Sequence, residues 1–124
     1  MSGTLEKALR ARRDAGGKSL VTYLTGGLGD WQGMMRAAAA AGADAIEVGI
    51  PFSDPVMDGP VIQEADERAL AAGATPTSIL DGVATLDAGV PLAVMTYGNL
   101  VFRYGWERFA ERCAAVGVSG ANLP

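Results

Sequence analysis

The sequence predicts an α/β fold in which parallel strands alternate with helices. Three times, at Gly42, Gly89 and Gly117, a helical pattern ends at a glycine and an apolar strand begins within three residues. Hydrophobic residues make up 49% of the 124 residues, and the 17 glycines are about twice the usual share, which is typical of a buried fold with many tight turns. Strands that alternate with helices of this length form right-handed βαβ units, so we expect one parallel sheet. Aligning the second and fourth copies of this repeat sets Asn122 opposite Glu47, which suggests a polar residue that faces the same interior.

The length, charge and residue composition of the chain limit both the size of the fold and the kinds of function. A chain of 124 residues has room for one domain, spanning residues 1–124, and we see no second domain. The net charge of −4 gives no reason to expect nucleic acid, and no apolar run approaches the roughly 18 residues of a membrane span. The start lacks the apolar core of a signal peptide and Cys113 is a lone cysteine, so the expected location is the cytoplasm. Because the sequence has no histidine, a histidine-based metal site or general base is excluded.

The first four elements are bounded by capping residues and glycines. The pattern predicts, in order, a helix from Thr4, as its cap, to about Asp14, a strand over residues 20–25, a helix capped by Asp30 and running to about Ala41, and a strand over residues 45–50.

The remaining elements follow the same alternation. The pattern predicts a helix from Pro60 to Ala72 that turns Ile62, Ala65, Ala69 and Ala72 inward, and a helix from Thr75-Pro76 to about Ala88. It then predicts a strand over residues 91–97, a turn at Gly98-Asn99, a helix from Gly105 to Val116 and a strand over residues 118–123.

The strand over residues 45–50 carries a carboxylate on a face of small residues. Alternation puts Glu47 between Ala45 and Gly49, whereas the bulky residues point to the other face. A buried acid is costly unless it is paired, solvated or protonated, and parallel α/β enzymes keep their chemistry where strands end. We therefore interpret Glu47 as a functional acid. The alternative is a structural glutamate that reaches an arginine or a backbone cluster.

Two further carboxylates follow in the loop after that strand. Asp58 could share acid–base work with Glu47 if their surroundings separate their pKa values, but an aspartate before Gly-Pro is also an ordinary helix cap. For Asp54, which precedes Pro55, the turn explanation is favoured. Three acids could also hold a divalent cation, although the prolines stiffen this loop and its spacing fits no standard metal loop.

Two tyrosines stand at the ends of the first and third predicted strands. If those strands run parallel to the second, Tyr23 and Tyr97 come to the same rim as Glu47. An aromatic pocket over a carboxylate would suit a flat, apolar substrate with one N–H or ionisable group. The alternative is a pair of core tyrosines whose hydroxyls reach solvent.

A long motif around Glu47 resembles the signature of the tryptophan synthase α subunit. Residues 46–63 read Ile-Glu-Val-Gly-Ile-Pro-Phe-Ser-Asp-Pro-x-x-Asp-Gly-Pro-Val-Ile-Gln. Residues 96–102 and 104–109 are similar to the third-strand region and the following helix of that family, and the likeness extends from Leu20 onward. One departure is the absence of the usual proline before Asp30.

The resemblance implies a fold and a reaction. The family is an eight-stranded barrel that cleaves indole-3-glycerol phosphate to indole and glyceraldehyde 3-phosphate, so this chain would be the first half, about four βα units, of a TIM-type (β/α)8 barrel with an extra N-terminal helix. By similarity, Glu47 is the proton donor at indole C3 and Asp58 holds the indole N–H. Tyr23 and Tyr97 fall in the indole pocket. The α subunit itself would need no cofactor, since pyridoxal phosphate would belong to the β subunit.

The resemblance also implies a partner. The loop over residues 51–58 is similar to the one that contacts the β subunit in an α2β2 assembly, which makes Pro51, Phe52 and Asp54 the partner-binding residues. A barrel of this type needs about 250 residues, and its phosphate grip comes from loops after strands seven and eight. A fragment, a truncated copy and a half that pairs with another half therefore all stay open. The functional alternative is a non-catalytic half-barrel that binds a β-type subunit.

Overall fold

The computed structural model describes residues 3–124, which form six helices and four strands. In chain order these are α1 (Thr4–Asp14), β1 (Val21–Thr25), α2 (Trp31–Ala40), β2 (Ala45–Gly49), α3 (Pro60–Ala71), α4 (Pro76–Ala84), β3 (Leu92–Met95), α5 (Gly98–Tyr104), α6 (Trp106–Val116) and β4 (Val118–Asn122).

The four strands form one parallel sheet in the order β1-β2-β3-β4, as the sequence predicts. Tyr23 on β1 lies opposite Glu47 on β2, and Met95 on β3 lies opposite Asn122 on β4. Because all strands run in one direction, their C-terminal ends meet at one edge of the sheet. The candidate residues from different strands are brought together at that edge.

The core lies between the outer face of this sheet and the helices that cover it. Leu80 and Val83 of α4, Met35 of α2 and Phe109 of α6 pack with the central strands in one cluster. Ile46, Val48 and Val94 are 0% exposed, so each side chain contributes about 1.5–3 kcal/mol of apolar burial. This layer fixes β2 and β3, and with them the direction of the inner face.

Helix α1 begins at Thr4, one residue earlier than predicted. Gly3 is the N-cap and Thr4 is the first helical residue, so the prediction of Thr4 as the cap is wrong. The reason is tertiary: the Thr4 hydroxyl lies 3.1 Å from the hydroxyl of Ser119 on β4, which also accepts from the Leu5 N–H at 3.2 Å. The helix is thereby tied to the N-terminal end of β4.

Two predicted boundaries differ around the third strand. Helix α4 ends at Ala84 rather than near Ala88, because the Thr85 hydroxyl bonds back to the Gly82 carbonyl and competes with the next helical turn. The predicted turn at Gly98-Asn99 is instead the start of α5. Burial of Val101 in the core outweighs the weak helix propensity of the first two residues.

Helix α3 turns most of its predicted face inward but differs from the prediction at two positions. Ala69 is buried, but Ala72 is exposed and Asp66 is only 1% exposed. The helix starts at Gly59 as N-cap, followed by Pro60 in the first turn. Its inward face therefore includes an acid, Asp66, that the apolar pattern did not predict.

Candidate active site

A cavity of about 340 Å³ opens at the C-terminal edge of the sheet. It draws on all four strands, on the loop after β2 and on the start of α3. The lining residues are Tyr23, Glu47, Met57, Asp58, Ile62, Met95, Asn122 and Pro124. Two carboxylates and one phenol thus face a single space, as the sequence argument expected for Glu47, Asp58 and Tyr23.

Glu47 projects from the inner face of β2 and is half-buried. Its Oε2 accepts a hydrogen bond from the Asn122 amide at 3.4 Å. No ion pair within residues 3–124 includes Glu47, so the structural alternative of a glutamate held by an arginine has no support in the described chain. The carboxyl group is oriented by one long amide contact and faces the cavity.

Asp58 is held by a tyrosine rather than by a helix terminus. The N-cap of α3 is Gly59 and receives no side-chain hydrogen bond, so Asp58 does not cap that helix. Its Oδ2 accepts from the Tyr97 hydroxyl at 2.9 Å, and that hydroxyl accepts from the Met57 N–H at 3.1 Å. This chain of hydrogen bonds fixes the carboxylate at the mouth of the cavity.

The two tyrosines occupy different places. Tyr23 lines the cavity, and its hydroxyl lies against Gly49, in the space that a side chain at that position would fill. Burial raises the pKa of Tyr23 to about 12, while the nearby Thr25 hydroxyl opposes the rise. Tyr97 is 7% exposed and sits behind Asp58, where burial and the hydrogen bond to Asp58 raise its pKa. Tyr23 therefore forms part of the cavity wall, and Tyr97 supports the carboxylate of Asp58 from behind.

The active-site loop, residues 51–58, presents a mixed surface. Pro51 is buried, and the Phe52 ring packs on the Tyr97 ring with centroids 4.9 Å apart. Asp54 is exposed and accepts from the Ser53 hydroxyl at 2.9 Å. Val56 and Met57 are 79% and 71% exposed, so the loop offers apolar groups to solvent beside the cavity that Met57 also lines. Of the predicted partner-binding residues, Asp54 is exposed, Phe52 is half-buried and Pro51 is buried.

The described residues give two further results that bear on the kind of site. No group of three or more His, Cys, Asp or Glu side chains among residues 3–124 is arranged to hold a metal ion. Over the same residues, none of the helices has the length and apolar character needed to cross a membrane.

Comparison with known proteins assigns the chain to a family. The sequence profile described as "Tryptophan synthase alpha chain" matches residues 9–124, nearly the whole chain. The chain belongs to the tryptophan synthase alpha chain family. The resemblance read from the motif around Glu47 is therefore confirmed.

Curated relatives carry the same family name and are longer. The tryptophan synthase alpha chain of Alkaliphilus metalliredigens is 42% identical over 129 residues, covering 100% of this chain and 48% of its own length. That of Thermobifida fusca is 46% identical over 124 residues, covering 97% of this chain and 46% of its own. The chain therefore spans about half the length of these tryptophan synthase alpha chains.

Solved structures of the family place the four strands in a barrel. Tryptophan synthase from M. tuberculosis, in an open form with BRD0059 bound, superposes with a TM-score of 0.92 at 38% identity, covering 100% of this chain and 51% of that chain. The alpha subunit from Legionella pneumophila gives 0.86 at 33% identity, covering 99% and 49%. The predicted fold, the first half of a (β/α)8 barrel, is confirmed.

Sequence reasoning missed one buried acid close to this candidate site. Asp66 on α3 lies below the active-site loop, and its Oδ2 is 3.5 Å from the Phe52 N–H, which donates to it. Helical spacing gave a usable signal, because Ile62, Asp66 and Ala69 recur at intervals of four and three residues on one face. Asn122 was anticipated, because the internal repeat set it opposite Glu47. The strand register places Gly120 level with Glu47 and Asn122 two residues further on, from where its amide reaches the Glu47 carboxylate.

Proposed function

We propose that this chain supplies the indole-binding, proton-transferring half of a carbon–carbon lyase that cleaves indole-3-glycerol phosphate to indole and glyceraldehyde 3-phosphate. One observation carries the proposal: Glu47 and Asp58, from different elements, line the same cavity as the Tyr23 ring. Membership of the tryptophan synthase alpha chain family supports the choice of substrate.

The proposed reaction is a retro-aldol cleavage driven by protonation of the indole ring. Glu47, in its protonated form, gives a proton to indole C3, and positive charge develops at the ring nitrogen. Asp58 accepts the ring N–H and stabilises that charge through its carboxylate. Loss of the proton from the neighbouring hydroxyl then breaks the carbon–carbon bond, forms the aldehyde and returns the electron pair to the indole. Glu47, left as a carboxylate, is the base on that side of the cavity.

Each supporting residue has a definite task in this proposal. Asn122 orients Glu47 through its amide, and Tyr97 fixes Asp58 through its hydroxyl. Tyr23 provides the flat wall against which an indole ring can stack. The steps use proton transfer and charge stabilisation by side chains, so we propose that the reaction in this subunit needs no cofactor.

The phosphate end of the substrate requires residues outside this chain. Barrels of this type grip phosphate with the loops after strands seven and eight, whereas residues 3–124 contain four strands. We therefore expect little or no turnover by the 124 residues alone.

A second candidate function is partner binding without catalysis. The exposed Val56 and Met57 on the active-site loop favour a protein surface over this edge of the barrel. We propose that a tryptophan synthase β subunit covers the loop in an α2β2 assembly, with Asp54 and Phe52 at the contact and pyridoxal phosphate held by that partner. A cytoplasmic location, expected from the single cysteine, stays a prediction.

The test is indole release from indole-3-glycerol phosphate. Three preparations are compared: the purified chain, the chain with a β subunit, and a completed barrel. The completed barrel is this chain joined to the second half of the Thermobifida fusca alpha chain, whose first half it matches at 46% identity. We expect indole from the completed barrel and little from the chain alone.

The outcomes separate the two candidates. A completed barrel that unfolds cooperatively but forms no indole would contradict the lyase proposal, provided that the intact Thermobifida fusca chain is active in the same assay. Saturable indole release by the chain alone would rule out the non-catalytic alternative.

A further inference from the structure

Asp66 is a buried acid on α3 to which the proposed reaction gives no task. The residue is 1% exposed, and its Oδ1 is buried without a hydrogen-bond partner. Its Oδ2 accepts from the Phe52 N–H at 3.5 Å, and no ion pair within residues 3–124 includes it. A carboxyl group with so few partners costs stability when it is removed from water. Packing alone gives no reason for an acid here.

The contact to Phe52 gives Asp66 a place in the architecture of the loop. Two side chains from outside the active-site loop accept hydrogen bonds from its backbone: Asp66 from the Phe52 N–H, and Tyr97 from the Met57 N–H. The first lies one residue after the loop begins and the second lies one residue before Asp58. Asp66 and Tyr97 therefore hold the two ends of the segment that carries Asp58.

Within residues 3–124, the groups that face Asp66 come from three elements and include no cation. They are Asp58 on the loop, Tyr23 on β1 and Tyr97 after β3, and the charge of Asp66 contributes to raising the pKa of both tyrosines. Burial raises the pKa of Asp66 to about 6; the Phe52 N–H opposes this rise and the Asp58 charge adds to it. The Tyr23 hydroxyl is likewise buried without a partner. Asp66 thus belongs to the same electrostatic environment as the cavity.

We propose that Asp66 is a positioning residue of this site: its carboxyl group anchors the start of the active-site loop from beneath and so sets where Asp58 stands at the cavity. It does not line the cavity and acts through the loop. The proposal rests on the proposed function only where it concerns rates, because the anchor itself exists without substrate.

Hydrogen exchange at the Phe52 amide tests the anchor in the 124-residue chain. Loss of one hydrogen bond changes local opening about tenfold, so Asp66→Ala should speed Phe52 exchange by about that factor relative to Val48 and Val94 in the core strands. Asp66→Asn keeps an acceptor oxygen and should stay within about threefold of the parent. Glu67→Gln, exposed on the same helix, is the control of matched charge change and should leave Phe52 unaffected. Equal Phe52 exchange in the parent and Asp66→Ala would overturn the proposal.

Thermal unfolding against pH gives a second measurement that does not need Asp66→Ala to fold. Because the native pKa of Asp66 is raised to about 6 from 3.8, the native state keeps its proton while the unfolded chain loses it. Its contribution to stability therefore falls between about pH 4 and pH 6 and is constant above that range. Asparagine cannot ionise, so the Tm of Asp66→Asn should rise relative to the parent across this range, and that of Glu67→Gln should not. If the Tm difference between Asp66→Asn and the parent did not change with pH, the buried placement of Asp66, on which the anchor depends, would be overturned.

Kinetics of the completed barrel test the link to Asp58. A misplaced Asp58 stabilises the developing ring charge less well, so Asp66→Ala should lower kcat about tenfold with a smaller change in KM, and Asp66→Asn should recover most of it. A residue needed only for folding would lower Tm and leave kcat per folded molecule unchanged, which would overturn the positioning role. If the parent completed barrel makes no indole, the proposed function fails, while the exchange and unfolding results still decide the anchor.

Discussion

The two faces of the five-residue strand β2 have different surroundings: one packs against the helices and the other faces the cavity. On the outer face Ile46 and Val48 are 0% exposed and lie in a closed apolar layer under the helices. On the inner face Ala45 and Gly49 flank Glu47, and the small side chains leave space that the Tyr23 ring and the cavity occupy. Apolar burial is concentrated on one side and the proposed catalytic acid lies on the other, because a strand sends alternate side chains in opposite directions.

We therefore expect substitutions on the cavity side to lower activity more than stability, and substitutions on the helix-covered side to lower stability more than activity. After Glu47 itself, the largest effect is expected for Asp58→Asn in the completed barrel, where kcat/KM should fall on the order of 100-fold because the charge facing the indole nitrogen is lost. The Tm should change little, since an amide oxygen can still accept from the Tyr97 hydroxyl. Steady-state indole formation and thermal unfolding measure the two quantities. A variant with more than a third of the parent's kcat/KM would count against the role of Asp58.

Ile46→Ala is the reverse case. Removing a fully buried side chain from the outer face should lower the free energy of unfolding by about 2–5 kcal/mol, since the packed layer cannot close the cavity left behind. Denaturant unfolding of the completed barrel gives this value. At a temperature where the variant stays folded, kcat per folded molecule should match the parent. A large loss of kcat there would show that the two faces are not independent.

Gly49→Ala tests whether the small inner residues are required for the shape of the site. The new methyl group meets the Tyr23 hydroxyl and displaces the ring from the cavity wall. We expect a stability loss of about 1–3 kcal/mol and a roughly tenfold fall in kcat/KM. Gly98→Ala is the matched control, because a methyl group at that position meets no atom within 4 Å. If both variants behave alike, the contact between Tyr23 and Gly49 has no bearing on function.

The sequence was sufficient for the parts of the site that lie on regular elements. Glu47 could be placed because strand alternation is strict, and Asn122 because the strand-and-glycine repeat puts equivalent positions of a parallel sheet in the same orientation. The family motif then suggested the proposed reaction. Each of these signals is local or repeats along the chain, so it can be read without knowing the path of any loop.

The parts that escaped prediction depend on the course of the active-site loop. The Tyr97 hydroxyl reaches Asp58 across 39 residues of sequence, and Asp66 reaches Phe52 across 14, so no spacing rule connects either pair. Helix α5 escaped for a related reason, since it forms where Val101 can be buried against the core rather than where helix propensity is high. Loop anchors and packing-driven helices are properties of the assembled fold.

We propose that the carboxyl group of Glu47 supplies the proton on which the chemistry of this half of the barrel depends. The direct measurement is kcat for indole formation by the completed barrel with Glu47→Gln, together with its Tm. Glutamine keeps the size of the side chain and an oxygen for Asn122 but cannot supply the proton, so kcat should fall by about 10²–10⁴ while the Tm stays near that of the parent. If a folded barrel with Glu47→Gln kept the parent's rate, the proposed role of Glu47 as the proton donor would be contradicted.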